Sequence, residues 1–249
     1  IARDLKRRKA RERTGLFVAE GVRCVEELLA SPVAVKAILV SPSLRQTPRG
    51  AALESVISSL DGSRGAVITE LSDAELSEAA STDTPQGIIC VAVQPERSFG
   101  NIDTRGIVLL LDGVQDPGNV GTMLRTALAF GVVATVALPG TVDLWNPKVV
   151  RSAMGALFSH HAFHADVSSS LKYLTAASIP LWATNMSGAP VGRLGAGNRV
   201  AIVVGNEGGG VSSELAAAAI RNVTIPVSAV ESLNVAVATG IILYALTTQ

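Results

Sequence analysis

Apolar positions in the first third of the chain alternate between helical and strand-like spacing. Apolar residues within 22–30 recur at the three- and four-residue intervals of a helix, and a basic helix is predicted before them. Further helices are predicted at 48–60 and 73–80. Short apolar runs predict strands at 35–40, 66–68 and 87–93. This alternation predicts a small α/β domain over 1–94.

A longer alternation begins at residue 107, after a polar segment at 95–104 whose Pro and Gly are typical of a linker. Strands are predicted at 107–111, 134–138, 156–161, 180–183, 200–204 and 222–226. Helices are predicted at 120–130, 147–154, 168–177, 212–219 and 233–246. Continuous apolar strands separated by helices predict a parallel sheet covered on both faces over 105–249. Such sheets bind ligands beyond the carboxyl ends of their strands.

Composition narrows the class of protein. The chain of 249 residues is 48% hydrophobic and 17% charged, with mean hydropathy +0.38, which excludes wholesale disorder. No apolar run reaches membrane-spanning length, and nothing resembles a secretory signal, so a cytoplasmic location is expected. Cys24 and Cys90 match no metal-ligand spacing. A metal site at His160, His161 and His164 is disfavoured because only Asp166 stands nearby, so no metal is expected.

Basic residues are concentrated at the start of the chain. Residues 1–13 carry seven basic and two acidic side chains, a net +5, whereas the other 236 residues carry −5. Two interpretations stay open. Cations such as Arg7, Arg8 and Lys9 could contact nucleic-acid phosphates, or the cluster could be a solvated helix face or a flexible tail.

The loop after the strand at 107–111 contains a turn signal, Asp116-Pro117-Gly118, which places Asn119 as the N-cap of the next helix. Arg125 follows six residues later, about 9 Å along the helix axis. There it could reach a phosphate above the strand ends or pair with a carboxylate, and spacing alone does not decide between them.

Four glycines within 205–210 follow the strand at 200–204 and allow a ligand to approach the backbone. Val211 stands where a Walker A motif needs Lys, and the dinucleotide fingerprint is missing from the first strand-helix turn, so NTPase and Rossmann-type dehydrogenase functions are disfavoured. Glu207 could orient a ligand, or it could be a carboxylate favoured near a helix start.

The third loop leads into the C-terminal helix. Ser232 is a natural N-cap for that helix. Asn234 lies in the first turn of a helix that is otherwise apolar on every side, so we expect its amide to be buried and partnered. A helix without a polar face must be enclosed within the fold or between subunits.

Together the three loops resemble the motifs of SpoU-type (TrmH-like) RNA 2′-O-ribose methyltransferases of the SPOUT class. The resemblance rests on Asp116-Pro-Gly-Asn-Val-Gly121 with Arg125, Gly205-Asn-Glu-Gly-Gly-Gly210, and Ile225-Pro226 with Ser232-Leu-Asn-Val-Ala-Val-Ala238. It extends to 148–156, to 17–21 and to 85–87, and so spans nearly the whole chain. Two residues depart from the usual pattern. Asn206 stands where a small residue is common, and Ala236 stands where Ser is common.

The resemblance implies a Rossmann-like catalytic domain with a deep C-terminal trefoil knot, preceded by a small RNA-binding domain. It also implies a homodimer whose interface includes the knot. S-adenosylmethionine would be the cofactor, with no metal required. By this resemblance the cofactor is held by Gly205, Asn206, Gly208, Ile225, Pro226, Ser232 and Leu233.

The resemblance assigns Arg125 to the phosphate beside the target ribose. Four further side chains would orient the ribose and the methionine end of the cofactor, namely Asn119, Glu207, Ser232 and Asn234. Arg7, Arg8, Lys9 and Arg151 are expected to contact RNA. The two-domain form favours 23S ribosomal RNA over tRNA as substrate. A catalytically silent, knotted RNA-binding or assembly factor is the alternative from another class.

Overall fold

A computed structural model of the chain describes residues 1–59, 65–103, 105–193, 199–230 and 232–247. Its strands, in chain order, are β1 (Leu16–Glu20), β2 (Val35–Val40), β3 (Val67–Glu70), β4 (Ile88–Val93), β5 (Ile107–Asp112), β6 (Ala134–Ala137), β7 (Ala162–His164), β8 (Leu181–Pro190), β9 (Val200–Gly205) and β10 (Arg221–Thr224). Its helices are α1 (Arg8–Thr14), α2 (Val22–Ala30), α3 (Pro48–Ser58), α4 (Asp73–Ala79), α5 (Pro117–Ala129), α6 (Pro147–Ser152), α7 (Ala156–Ser159), α8 (Val167–Ala176), α9 (Ser213–Ala218) and α10 (Val235–Thr247).

The chain divides into two compact units. The first contains Ile1–Glu96 and Trp145–Ser159, and the second contains Arg97–Leu144 and His160–Gln249. The segment 145–159, which the sequence pattern assigns to the second domain, therefore groups with the first. The domain boundaries 1–94 and 105–249 stay a prediction.

The first unit is built on a mixed four-stranded sheet in the order β1-β4-β2-β3. Strand β4 runs antiparallel to β1 and β2, while β3 lies parallel to β2. Burial of Leu5, Val18, Leu76, Ile89 and Val91 forms a core on one face of this sheet, closed by α4 and the N-terminal segment. The predicted α/β character of this region is confirmed.

Aromatic packing fixes the segment 145–159 to β1. The ring of Phe17 lies 4.4 Å from that of Trp145 and 5.9 Å from that of Phe158, centroid to centroid, and Phe17 is fully buried. Aromatic pairs at these separations add to the free energy gained by burying their area. This contact explains why α6 and α7 belong to the first unit.

The second unit is a six-stranded sheet in the order β10-β8-β9-β5-β6-β7, and every pairing in it is parallel. The predicted parallel sheet is therefore confirmed. Asp112 at the end of β5 pairs with Gly205 at the end of β9. Because these two carboxyl ends are neighbours, the loops that follow β5 and β9 leave the sheet side by side.

One predicted strand is wrong. Residues 156–159 form the short helix α7, and the strand begins only at Ala162. The chain turns at Met154 and Gly155, both with positive φ, so the apolar residues that follow enter the core as a helical turn. A short apolar run does not distinguish a buried helix from a buried strand.

The C-terminal helix α10 is enclosed on one side only. It contacts α5 and β9, and Ile242, Leu243 and Leu246 are buried. The opposite side carries Val237 and Tyr244, which are 52% and 58% exposed. Of the two expected ways of enclosing this helix, the fold of one chain supplies only part, and an apolar stripe faces outward. In the part of the chain that the structure describes, no helix has the length and apolar character needed to cross a bilayer.

Candidate active site

The loop after β5 places Asn119 inside helix α5 rather than at its cap. The cap is Asp116, whose carboxylate accepts a hydrogen bond from the Asn119 N–H at 2.7 Å, and Pro117 opens the helix. The prediction of Asn119 as N-cap is wrong by three residues, because a turn signal does not reveal which of its polar residues folds back. The Asn119 side chain is consequently free to point away from the helix.

Asn119 connects all three loops. Its Nδ2 donates to Oε1 of Glu207 at 2.8 Å, and its Oδ1 accepts from Nδ2 of Asn234 at 3.1 Å. These partners lie 88 and 115 residues away along the chain. The half-buried Asn119 and the exposed Glu207 and Asn234 therefore form one hydrogen-bonded group at the carboxyl-end edge of the sheet.

Asn234 occupies the N-cap position of α10. Its Oδ1 accepts from the N–H groups of Ala236 at 3.0 Å and Val237 at 3.3 Å. Ser232 was predicted to be this cap, but it lies three residues before the first helical residue and is exposed. Asn234 was expected to be buried and is exposed instead, although it is fully partnered. A Ser and an Asn two positions apart are equally good caps in sequence, so only the structure separates them.

The glycine-rich loop is closed by Asn206. Its Nδ2 donates to the carbonyl of Gly113 at 2.8 Å, and its Oδ1 accepts from the Gly208 N–H at 2.8 Å. A Cβ on Gly205 would meet the backbone of Gly210 at 2.0 Å, so only glycine fits there. Gly210 itself has φ of +65°. Asn206, a departure from the family pattern, thus ties the loop after β9 to the loop after β5.

Sequence reasoning missed Asp112, which lies at the end of β5. It is buried, and its Oδ2 accepts from the Ser212 N–H at 2.7 Å, which holds the start of α9. A single acidic residue ending an otherwise apolar strand was the available signal, since buried carboxylates need donors. Glu207 precedes α9 by six residues and bonds to Asn119, so the helix-start interpretation for Glu207 does not hold.

Arg125 is exposed on α5. Among the residues that the structure describes, it has no recorded ion pair or hydrogen bond. The alternative in which Arg125 pairs with a carboxylate therefore has no support within the described residues. A guanidinium without an internal partner is available to an external anion.

The loop from β10 toward α10 offers main-chain groups. Within the described part of the chain, the N–H groups of Val227 to Val230 and of Leu233 make no hydrogen bond. Ile225 and Leu233 are half-buried, and Pro226 and Ser232 are exposed. Unpaired main-chain donors beside half-buried apolar side chains fit the edge and faces of an adenine ring.

The predicted RNA-contacting cations differ in their environment. Arg7, Arg8 and Lys9 are exposed, although Arg8 also donates to Glu12 at 2.7 Å. Arg11 belongs to the same basic segment but is 2% exposed, and its Nη1 donates to the carbonyl of Leu5 at 2.7 Å. Arg11 is therefore not among the cations that this segment presents to solvent. Arg151 lies on α6 in the first unit and is half-buried.

The three histidines have separate partners. His160 is buried, and its Nε2 lies 2.7 Å from Oγ1 of Thr135. Burial lowers the pKa of His160 to about 4, so its ring is neutral at pH 7. His161 contacts the Ser98 carbonyl and His164 accepts from the Leu144 N–H. The described residues contain no group of three or more His, Cys, Asp or Glu placed to hold a metal ion.

Comparison with known proteins assigns the fold and the three loops to one family. The SpoU rRNA methylase family model matches residues 106–244. The chain belongs to this family. A second family model, the MRM3-like substrate binding domain, matches residues 1–90. The resemblance inferred from the three motifs is confirmed.

Relatives of the SpoU family match this chain over nearly its full length. A 23S rRNA (guanosine(2553)-2′-O)-methyltransferase from Bacillus subtilis (strain 168) is 38% identical, over 98% of this chain and 93% of that protein. An AdoMet-bound rRNA methyltransferase from Sinorhizobium meliloti has 29% identity and a TM-score of 0.83, covering 98% of this chain and 91% of that one. AviRb, a SpoU methyltransferase of Streptomyces viridochromogenes crystallised with AdoMet, has 25% identity and a TM-score of 0.85, covering 98% and 94%.

Proposed function

We propose that this chain is an S-adenosylmethionine-dependent methyltransferase that modifies a ribose 2′-hydroxyl in 23S ribosomal RNA. The observation that carries the proposal is the hydrogen-bonded group of Asn119, Glu207 and Asn234, which joins one residue from each family motif. The full-length relative from Bacillus subtilis, named for this reaction on 23S rRNA, supports ribosomal RNA over tRNA.

The hydrogen-bonded group has a direction. The N–H groups that open α10 donate to Asn234, Asn234 donates to Asn119, and Asn119 donates to Glu207. Each donor thus points toward the carboxylate, and hydrogen bonds in series polarise one another. This arrangement fixes the orientation of the Glu207 carboxylate and leaves some of its lone-pair positions available to a ribose hydroxyl.

Arg125 is assigned to the RNA phosphate next to the target ribose. Its cation has no recorded partner within the described residues and stands on α5, whose first turn also carries Asn119. A fixed positive charge beside a hydroxyl favours its deprotonated form, which helps a weak nucleophile at neutral pH. A guanidinium is charged at any physiological pH, so Arg125 positions and stabilises rather than accepting the proton.

The loops after β9 and β10 would hold the cofactor. Gly205, Asn206, Gly208, Ile225, Pro226, Ser232 and Leu233 are the residues that we assign to it. When bound, S-adenosylmethionine supplies an electrophilic methyl group on a sulfonium ion. The chain's own residues then need only bring the hydroxyl into line with that methyl group and exclude competing nucleophiles.

Four wider features belong to the same proposal. The first domain, 1–94, binds the RNA. The residues that contact the RNA are Arg7, Arg8 and Lys9 of that domain, together with Arg151. The C-terminal region forms the family's trefoil knot, an assignment supported by contacts of α10 with both β9 and the turn at Val191–Arg193. Two copies associate through the outward apolar stripe of α10. Because its substrate is ribosomal RNA, we place the enzyme in the cytoplasm.

The decisive experiment combines a strain lacking the gene with the purified protein. We expect one 2′-O-methylated nucleotide of 23S rRNA to disappear in the deletion strain, seen as a new site of alkaline cleavage. Purified protein with S-adenosylmethionine should restore it on 23S rRNA from that strain and leave tRNA unmodified. Tight RNA binding without methyl transfer to any RNA would instead support the silent assembly factor.

A further inference from the structure

Two adjacent cavities lie in the first unit and take no part in the proposed methyl transfer. Their volumes are about 400 Å³ and 560 Å³. Ala80, Thr82 and Arg151 line both, so the cavities are neighbours with a shared wall. All the residues that line them belong to Ile1–Glu96 or Trp145–Ser159, the two segments of the first unit.

The smaller cavity has the chemistry of a site for a flat, heteroaromatic ring. Pro85, Ile88 and Met154 supply apolar surface, while Glu20 and Gln86 supply polar groups. Small-molecule sites in proteins combine such apolar walls with a few fixed polar atoms, at volumes in this range.

Glu20 is the central polar group of this cavity. Its side chain is 5% exposed, and its Oε1 and Oε2 accept from the Ser81 N–H at 2.8 and 3.0 Å. A carboxylate offers about four lone-pair positions, so acceptor capacity remains after this bond. The Oε1 of Gln86 accepts from the Val22 N–H at 2.9 Å, which leaves its NH₂ group as a donor.

Two guanidinium groups supply further donors. Nη1 of Arg151 is buried and makes no hydrogen bond, and Oε2 of Glu20 lies 4.0 Å from it. Arg23 is exposed, lines the same cavity and has no recorded partner among the described residues. A carboxylate acceptor beside arginine donors matches guanine, which presents N–H donors on one edge and the O6 and N7 acceptors on another.

The larger cavity is suited to a phosphate. Lys6, Lys148 and Arg151 bring three cationic groups to it, and Ser81 and Thr82 add hydroxyl groups. Asp83 is the one acidic residue among those lining it. Lys148 is exposed and has no recorded ion pair in the described ranges. Converging cations and hydroxyls bind phosphate oxygens in RNA-binding proteins.

We infer that the first unit contains a subsite for one unpaired guanosine of the RNA, with the base beside Glu20 and its phosphate beside Lys148 and Arg151. This inference rests on the proposed function, since it assumes an RNA substrate. The subsite would select one base of the RNA, on a nucleotide other than the one whose ribose is methylated. The cavities therefore give the enzyme a means of choosing its RNA.

The test uses the full-length protein and fluorescently labelled RNA hairpins whose loops contain only uridine except at one position. We expect the hairpin with guanosine there to bind at least about fivefold more tightly than the one with adenosine. Inosine, which lacks the N2 amino group, should bind with intermediate affinity. The variant Glu20→Gln keeps an oxygen for the Ser81 N–H but replaces an acceptor with a donor, and should lose the preference for guanosine.

Two further variants separate binding from folding. Arg23→Gln alters an exposed side chain and should weaken the preference for guanosine without lowering the thermal midpoint. Lys148→Gln should weaken the binding of all hairpins to the same extent and reduce the slope of log K against log salt by about 0.7. Lys36→Gln removes an exposed lysine of β2 that lines neither cavity, and should change neither the preference nor the slope.

Equal affinity for guanosine and adenosine loops, or a preference that survives both Glu20→Gln and Arg23→Gln, would overturn the guanosine subsite. Micromolar binding of guanosine 5′-monophosphate alone, without any effect of the loop base, would assign the cavities to a free nucleotide instead.

Methyl transfer to 23S rRNA is measured in parallel. An active enzyme without base preference refutes only the subsite, whereas base-selective binding without methyl transfer refutes only the proposed function.

Discussion

At the scale of single residues, the site depends on side chains that hold other side chains. Asp116 caps α5 and thereby leaves Asn119 free to reach Glu207, while Asn206 ties two loops together. The residue types of the site could be predicted from its three motifs. Their contacts could not, because Asp116 and Asn119, or Ser232 and Asn234, are equally suitable caps until the helix starts are known.

Replacing Arg125 with Ala should abolish methyl transfer while leaving the affinity for S-adenosylmethionine within a few-fold of wild type. The proposed partner of Arg125 is an RNA phosphate, so its loss removes positioning of the substrate and not of the cofactor. Single-turnover methylation and calorimetry with S-adenosylmethionine measure the two effects. Lys172→Ala removes another exposed cation of the same unit and should leave both unchanged. Loss of cofactor binding by a folded Arg125→Ala protein would show that its role is misassigned.

At the scale of secondary-structure elements, periodicity predicted most helices and strands with ends within three residues, except that β8 continues to Pro190, seven residues beyond its predicted end. The parallel sheet was predictable because its strands are apolar on both faces. Two features were not. The short helix α7 depends on the positive φ angles of Met154 and Gly155, and the grouping of 145–159 with the first unit depends on the contact of Trp145 with Phe17. Neither long-range packing nor a positive φ at Met changes the spacing of apolar residues along the sequence, so periodicity does not predict them.

Helix α8 provides a pH-dependent test of capping. The carboxylate of Asp166 accepts from the backbone N–H of Ser169 and from the hydroxyls of Ser169 and Ser168, and these bonds lower its pKa from 3.8 to about 2. Because the pKa of Asp166 is lower in the folded than in the unfolded protein, its ionised carboxylate stabilises the fold at any pH above the unfolded-state pKa. This contribution is lost as the pH falls from about 4 through about 2. We expect Asp166→Asn to unfold at a lower temperature than wild type at pH 7, and the difference to shrink as the pH falls to 2. A difference independent of pH in calorimetry would contradict this.

The basic N-terminal segment gives a test based on salt dependence. Of its seven cations, Arg11 is buried, Arg3 pairs with Glu78, Arg8 pairs with Glu12, and Lys6 donates to the Glu78 carbonyl. Arg7, Lys9 and Arg13 remain exposed, without a recorded partner among the described residues. Changing these three to Gln should reduce the slope of log K for RNA against log salt by about 2, at about 0.7 per contact.

The affinity of that triple variant for S-adenosylmethionine should stay unchanged, because the proposed cofactor residues belong to the other unit. Arg11→Gln is the contrasting variant. It should lower thermal stability, because the carbonyls of Leu5 and Lys6 lose their charged donor. An unaltered salt slope in the triple variant would identify the segment as a solvated helix face and nothing more.

At the scale of the whole molecule, the second unit leaves apolar surface uncovered. Val237, Ile241 and Tyr244 follow one another at i, i+4 and i+7 on α10 and form one outward stripe, with exposures of 52%, 39% and 58%. A contiguous apolar stripe at the surface marks an interaction site. The sequence predicted that α10 must be covered. In the structure, the chain itself covers only the face of α10 opposite the stripe.

The stripe predicts a homodimer that a single charge should disrupt. Wild-type protein should sediment as a dimer at micromolar concentration. Ile241→Glu should sediment as a monomer, because a carboxylate buried in an apolar interface without a partner costs several kcal/mol. Val56→Glu places the same charge on an exposed apolar residue of α3 in the first unit, and this variant should remain a dimer. A wild-type monomer under these conditions, or a dimer that survives Ile241→Glu, would exclude α10 as the subunit interface. The stripe would then have to be covered by RNA or by another protein.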